Sequence, residues 1–409
     1  MPQDQAQNRG LPAFFGELGY TIVCVIAVGA AVEFLSYLAM AHFLAPQPFY
    51  AGRCRGTAGG KCPAMQEDVN INSAGSVYEK YPWAEDFWRE EHQHWRQAKF
   101  RFRPFVAWDN AAWQGRYWHF DRTATGIIRR TANPQANCAT TVWMFGGSTM
   151  MGQGSPDDMT IASYLSSELN AAPGTCVTVI NRGVDAYNSN QETILLLQLL
   201  KAGERPSLVI FYDGVNEAVV GLWTADGWNS HGDVPRMRQL LENATLSSSV
   251  RSVLLDSYSV ACARWFLAKF APAPGAYAAN PALPGKILDN YAANMRIIRM
   301  IAREYGFPVA FFWQPDIYFG SKPHDWFENG VVKNQPDNGG EFAGVFREAE
   351  RRAAAGPAAG QYVFLGHIFD DVRDPLYIDT YHIGPEGNRM VARRIAETIR
   401  APGWLAPKP

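Results

Sequence analysis

Hydrophobic and polar positions fall into three regimes along the chain. From Tyr20 to Leu44 the residues are almost all apolar, with Glu33 the single charge. About 25 such residues suffice for one helical crossing of a ~30 Å hydrocarbon core. Residues 45–75 lose all periodicity and carry Gly, Pro and Ser, as a linker does. From Thr140 onward short apolar runs alternate with amphipathic stretches. The runs Thr140–Phe145, Val177–Ile180, Ser207–Tyr212 and Val309–Trp313, with a fifth near Tyr362–Leu365, predict strands covered on both faces. Helices are predicted at Thr160–Asn170, Asn190–Ala202, Tyr291–Tyr305 and Pro385–Ile399, with Asn190 and Asp289 as start signals. Such alternation specifies an α/β fold: a three-layer sandwich with a mainly parallel sheet, preceded here by a transmembrane helix.

Between linker and first strand, residues 76–130 are unusually aromatic, from Trp83 and Trp88 to Trp118 and Phe120. Glu85–Lys99 reads as helix and Phe102–Trp108 as extended chain. The section is expected to wrap the main domain, either as packing at its edge or as a stacking platform for sugars. The division is therefore 1–19 tail, 20–44 anchor, 45–138 linker and aromatic extension, and 139–401 catalytic domain. A helical insertion near 221–288 and a loop-rich excursion near 321–360 interrupt the last.

A cleavable signal peptide competes with the anchor, because Ala39-Met40-Ala41 is an A-x-A-like site. The apolar run is longer than a signal core, which favours the anchor. Arg9 precedes the span and Arg53, Arg55 and Lys61 follow it, so basic residues taken alone favour a cytoplasmic body. The cysteines point the other way. Cys138 and Cys176 each precede a predicted strand, and adjacent parallel strands would bring them side by side; Cys54 and Cys62 flank a Gly-rich loop. Two such bridges suit an oxidising compartment, hence an extracytoplasmic, periplasmic domain on a single-pass inner-membrane anchor. Cys262 is left over as a buried thiol. Glu33 within the span suggests either a contact with an integral-membrane partner or a protonated, tolerated carboxyl. The net charge of −2 gives no support to a nucleic-acid partner. His231, His324 and His367 lack ligand spacing, so no metal and no cofactor is expected.

The chemistry lies at strand ends. Gly146-Gly147-Ser148-Thr149 follows the first strand, Asn181-Arg182-Gly183 the second, and Asp213-Gly214-Val215-Asn216-Glu217 the third. Asp379-Thr380-Tyr381-His382 precedes the last helix. Ligands of open parallel sheets bind at the carboxyl ends of the strands, where these residues gather. A serine needs a base to become a nucleophile. His382 supplies one, oriented by Asp379. Backbone N–H groups of Ser148 and Gly183 and the Asn216 amide are the expected oxyanion donors. Asp213 reads as a strand-end hydrogen-bonding residue. Gln314, Arg182 and Tyr187 border the site as weaker substrate-contact candidates.

In order and content these four blocks resemble the SGNH (GDSL-type) hydrolase superfamily over about residues 139–400. The resemblance implies a flavodoxin-like three-layer domain with Ser148, His382 and Asp379 as triad and Gly183 and Asn216 in the oxyanion hole. Gly147 and Glu217 replace the Asp of the commonest family forms, which sets the chain apart from the secreted lipase branch. The fuller text around Ser148 and Asn216 looks like bacterial single-span envelope members. The expected activity is cleavage of acyl esters, acetyl first among them, from an acylated carbohydrate of the cell envelope. Polysaccharide O-acetyl transfer needs the same residues and stands as the alternative, with a non-catalytic glycan-binding scaffold as the third reading.

Overall fold

A computed structural model describes residues 11–42, 75–97, 100–135, 138–228, 280–337, 340–355 and 362–400, with isolated positions between 229 and 279 and at 404. The chain divides into two units, residues 1–62 with 236–275, and residues 63–235 with 276–409. In the first, the N-terminal apolar run forms helix α1, Leu11–His42. Its side chains are described for 23–39, where Val25, Ile26, Phe34 and Leu35 are exposed. Among the described residues no helix is long and apolar enough to cross a membrane. Glu33 has a partner in its own chain: its Oε2 accepts from the Ser259 N–H (3.0 Å) and Oγ (2.8 Å). Cys262 is partly exposed, where a buried thiol was expected. The expected linker and the Cys54–Cys62 pair lie outside the described residues.

The second unit is built on one eight-stranded sheet. Its elements in chain order are helices α2 (Gly75–Tyr78) and α3 (Ala84–Gln97), then strands β1 (Arg101–Arg103), β2 (Ala107–Asp109), β3 (Trp113–Gln114), β4 (His119–Thr123), β5 (Gly126–Arg129) and β6 (Thr140–Gly146). There follow α4 (Ser148–Met151), α5 (Ile161–Leu169), β7 (Val177–Asn181), α6 (Ser189–Lys201), β8 (Leu208–Asp213) and α7 (Val215–Thr224). The last are α8 (Leu283–Tyr305), β9 (Val309–Trp313), α9 (Trp326–Asn334), α10 (Glu341–Ala354), β10 (Val363–Phe364) and α11 (Pro385–Arg400). The sheet runs β10-β9-β8-β6-β7-β5-β4-β3. Neighbours from β10 to β7 pair in parallel, and β5, β4 and β3 continue antiparallel.

Strand periodicity sorts the core into two layers. Val142 and Met144 join Val179, Ile210 and Tyr212 beneath α5 and α11. Trp143 and Phe145 join Val209 and Phe211 beneath α6, α8 and α10. On that second face Phe145, Phe211 and Phe311 stand in register across β6, β8 and β9, stacked at 5.0 and 5.2 Å. Ring pairs of this kind add roughly 0.5–1.5 kcal/mol each beyond area burial. Cys138 and Cys176 are bridged with Cα atoms 5.2 Å apart. They lie just before the register pair Thr140–Val177, so parallel pairing of β6 and β7 brings them together.

Five expectations change. The aromatic extension does more than wrap the domain, because β3–β5 prolong the main sheet through the pair Arg129–Asn181. Its rings chiefly pack: Phe87, Trp118 and Phe120 are buried, with His94 stacked on Phe120. The stretch Phe102–Trp108 is a hairpin of β1 and β2, turned at Phe105 (φ 68°), rather than one extended strand. Helix α8 starts two turns before Tyr291; Pro284 in its first turn marks the start. The excursion at 321–360 contains two helices. Asp325 and Glu328 form a capping box on α9, and Phe342, Val345, Phe346 and Ala349 give α10 a helical apolar face packed on the core. The cap of α6 is Asn188, whose side chain accepts from the N–H groups of Asn190 and Gln191.

Candidate active site

The parallel strands follow the chain order 2-1-3-4-5, so connections diverge between β6 and β8. In open α/β sheets this switch point opens a crevice at the carboxyl ends. Ser148 leaves β6 there as the first residue of α4, and Asn216 leaves β8 there as the second residue of α7. Two glycines set their approach. A Cβ on Gly147 would fall 2.0 Å from Asn216 Nδ2, so only glycine lets the amide lie against the backbone before Ser148. A Cβ on Gly183 would fall 2.3 Å from the Met151 nitrogen, so glycine also lets the β7 loop pack on α4.

His382 arrives on a short turn between β10 and α11. The turn is closed by the Tyr377–Ile383 bridge, by Ile378 N–H to His382 O (3.0 Å) and by Gly384 N–H to Leu376 O (2.8 Å). Asp379 shapes it from inside. Its Oδ1 accepts the N–H groups of Tyr381 (2.9 Å) and His382 (2.7 Å), while Oδ2 meets His382 Nδ1 at 2.6 Å. The three-residue spacing thus lets one carboxylate hold both the turn and the ring. His382 Nε2 lies 2.7 Å from Ser148 Oγ, within reach for proton transfer.

The base of this turn rests on a residue the sequence reading missed. Glu328 Oε1 accepts the N–H groups of Leu376 (2.9 Å) and Tyr377 (3.0 Å), and its Oε2 pairs with Lys322 Nζ at 2.6 Å in a buried ion pair. The capping box Asp325-x-x-Glu328 was the available signal. It announces a helix start and says nothing of a distant turn.

Electrostatics favour a protonated imidazole once charge develops. Burial acts to lower the His382 pKa, but the facing Asp379 and its hydrogen bond, with Asp185 and Glu91 further off, hold it above the ordinary value. Burial acts to raise Asp379, and His382 with the backbone donors outweighs it, leaving the carboxyl below its ordinary value. Glu91, buried and bonded to the Gly154 N–H at 3.2 Å, is pushed up to about 7 chiefly by burial.

The remaining expected contacts divide. Asn216 Nδ2 donates to Tyr187 O (2.6 Å), leaving its second hydrogen, and the Ser148 N–H opens α4 without an intrahelical acceptor. The Gly183 N–H is engaged by Asn181 Oδ1 (2.9 Å), so in this structure it is not a free oxyanion donor. Arg182 is buried over the Trp143 ring (4.6 Å) and paired with Glu204, an edge-packing role in place of the expected substrate contact. The Tyr187 ring is core, its hydroxyl donating to Trp108 O; its carbonyl, not its ring, serves the site. Gln314 is buried beside the site, and its Oε1 accepts from Thr149 Oγ1 (3.0 Å). No group of three or more metal-ligating side chains occurs among the described residues.

No protein-family model matches the chain, and no curated protein matches it in sequence. Solved structures give distant likenesses. The acetylxylan esterase Axe2 from Geobacillus stearothermophilus is 13% identical, with 66% of this chain and 96% of that one aligned at a TM-score of 0.34. TesA is 14% identical, with 64% and 99% aligned at 0.35. A G-D-S-L family protein from Desulfitobacterium hafniense is 10% identical, with 63% and 98% aligned at 0.32. At these scores the likeness assigns neither a reaction nor a residue to this chain.

Proposed function

We propose that this chain is a serine esterase that removes acyl groups, acetyl first among them, from a glycan of the cell envelope. The observation that carries this reading is the unbroken relay from Asp379 Oδ2 through the His382 ring to Ser148 Oγ, at 2.6 and 2.7 Å. Ser148 Oγ attacks the ester carbonyl while His382 Nε2 takes its proton, giving a tetrahedral adduct and an imidazolium facing Asp379. The Ser148 N–H and the Asn216 amide stabilise the oxyanion. Collapse breaks the ester C–O bond, and His382 gives its proton to the departing sugar oxygen, which leaves as the free hydroxyl. Water, deprotonated by His382, then attacks the acyl-serine and releases the carboxylic acid and free Ser148.

The setting fits an envelope substrate. The Cys138–Cys176 bridge belongs in an oxidising compartment, and the exposed apolar side chains of α1 suit an anchor in the inner membrane with the sheet unit in the periplasm.

The test is hydrolysis of a small activated acetyl ester by the purified protein, with fluorophosphonate labelling. Wild type should turn over and take the label, and folded Ser148→Ala should do neither. Turnover unchanged in Ser148→Ala would refute the reading. Acetyl gain on a glycan supplied with an acetyl donor would identify a transferase using the same acyl-serine.

A further inference from the structure

Beneath the turn that carries Asn216 lies a knot of carboxyl groups that ester hydrolysis does not use. Asp213 ends β8, Glu192 lies in the first turn of α6 and Glu217 in the first turn of α7; all three are buried. Glu217 is solvated as an anion is, with the Ser189 N–H on Oε1 (2.7 Å) and the Gly214 N–H on Oε2 (2.8 Å). Asp213 and Glu192 are not. No well-aligned hydrogen bond reaches any of their four carboxyl oxygens among the described residues, yet Asp213 lies within hydrogen-bonding reach of both the Glu192 carboxyl and the Tyr291 hydroxyl. Two carboxylates have no hydrogen to share, and in a dry interior beside a third they repel. One proton between them converts the repulsion into a short, charge-assisted bond.

Among the described residues, the other faces of the knot supply no strong cation at close range. From α8 the buried Tyr291 hydroxyl faces Asp213, and Arg299 lies beyond it over the Phe311 ring at 4.8 Å. Tyr362 adjoins Tyr291 at 5.7 Å between ring centres. From β9 the Trp313 ring closes on Gly214, whose added Cβ would meet it at 2.9 Å. Burial first, then the like charges of their neighbours, holds both Asp213 and Glu192 well above the ordinary carboxylate range.

We propose that Asp213 and Glu192 share a proton at neutral pH, and that this bond fixes the Asp213–Asn216 turn, making Glu192 a positioning residue for the Asn216 amide. The second half rests on the reading of Asn216 as an oxyanion donor; the first does not. A carboxyl that keeps its proton in the folded state binds it more tightly than in the unfolded chain. Its stabilisation is therefore complete below about pH 4 and declines as pH rises through the folded pKa. Glu192→Gln puts a permanent N–H donor opposite Asp213 and removes that decline.

The experiment follows Tm of wild type and Glu192→Gln from about pH 5 to about pH 9, spanning the window above the ordinary carboxyl pKa. The expected result is a Tm difference that grows with pH in favour of the variant, with Asp213→Asn giving the same trend. A difference independent of pH would overturn the shared proton. On an acetyl ester, Glu192→Ala should lower kcat about tenfold with little change in KM, less than outright loss of an oxyanion donor, and Glu192→Gln should restore most of it. Full kcat in Glu192→Ala would overturn the positioning role. Failure of Ser148→Ala to abolish turnover would instead strike the hydrolase reading and leave the Tm comparison intact.

Discussion

Replacing Asp379 by Asn tests the relay at its far end, the carboxylate that orients the His382 ring. The Asp379 carboxylate makes three hydrogen bonds, two to backbone N–H groups and one to the His382 ring. Asn retains one oxygen, and the two N–H groups at 2.7 and 2.9 Å claim it. The amide NH2 then faces His382 Nδ1 and forces that nitrogen to accept. The proton moves to Nε2, which becomes a donor toward Ser148 Oγ and ceases to be a base. In a well-studied serine protease the analogous change lowers kcat about 10⁴-fold, and about 10³–10⁴-fold is expected here, or about 4–5.5 kcal/mol of barrier at 1.36 kcal/mol per decade. KM should change little, since no substrate contact is removed. The pH profile gives a second readout. In wild type the acid limb should lie above the ordinary histidine pKa, because Asp379 raises His382 against the effect of burial. With that charge gone, burial dominates and the limb of the residual activity should shift to lower pH. The assay is kcat against pH on an acetyl ester, with circular dichroism to verify the fold. A folded Asp379→Asn within tenfold of wild-type kcat would refute the tautomer argument.

Three further outcomes follow from particular contacts. Gly147→Ala places a methyl 2.0 Å from Asn216 Nδ2; displacing that donor should lower kcat about 10²-fold or more, with a far smaller change in Tm. Glu328→Ala strands buried Lys322 and frees the base of the Asp379 turn, so denaturant unfolding should register a loss of about 3–5 kcal/mol, typical of a broken buried pair, together with reduced kcat; unchanged stability would contradict the assigned pairing. Reduction, or Ser at Cys138 and Cys176, opens a bridge of sequence separation 38, for which chain entropy gives a loss of about 4 kcal/mol, measurable as a lower denaturation midpoint.

Local signals carried much of this molecule. The five apolar runs became the parallel strands because a strand covered on both faces must be apolar throughout, and that composition is visible without contacts. Ser148, Asn216 and His382 were legible because strand ends and helix starts are local, and a parallel sheet assembles its carboxyl ends at one edge. The Cys138–Cys176 bridge followed from the same logic. The strands β3–β5 escaped notice because their short runs mix aromatic and charged residues, and only the pairing with β7 gives them an identity as strands.

What the sequence determined alone was the set of chemical groups and the edge at which they meet. What only the tertiary structure decided was which hydrogen atoms are free. Gly183 has the right residue type at the right strand end, yet its N–H is engaged by Asn181. Arg182 looks available and is held by Glu204 over a tryptophan ring. Glu328, outside every motif, holds the turn that carries His382. A donor's availability depends on every acceptor within about 3 Å of it, and most of those acceptors come from segments distant along the chain.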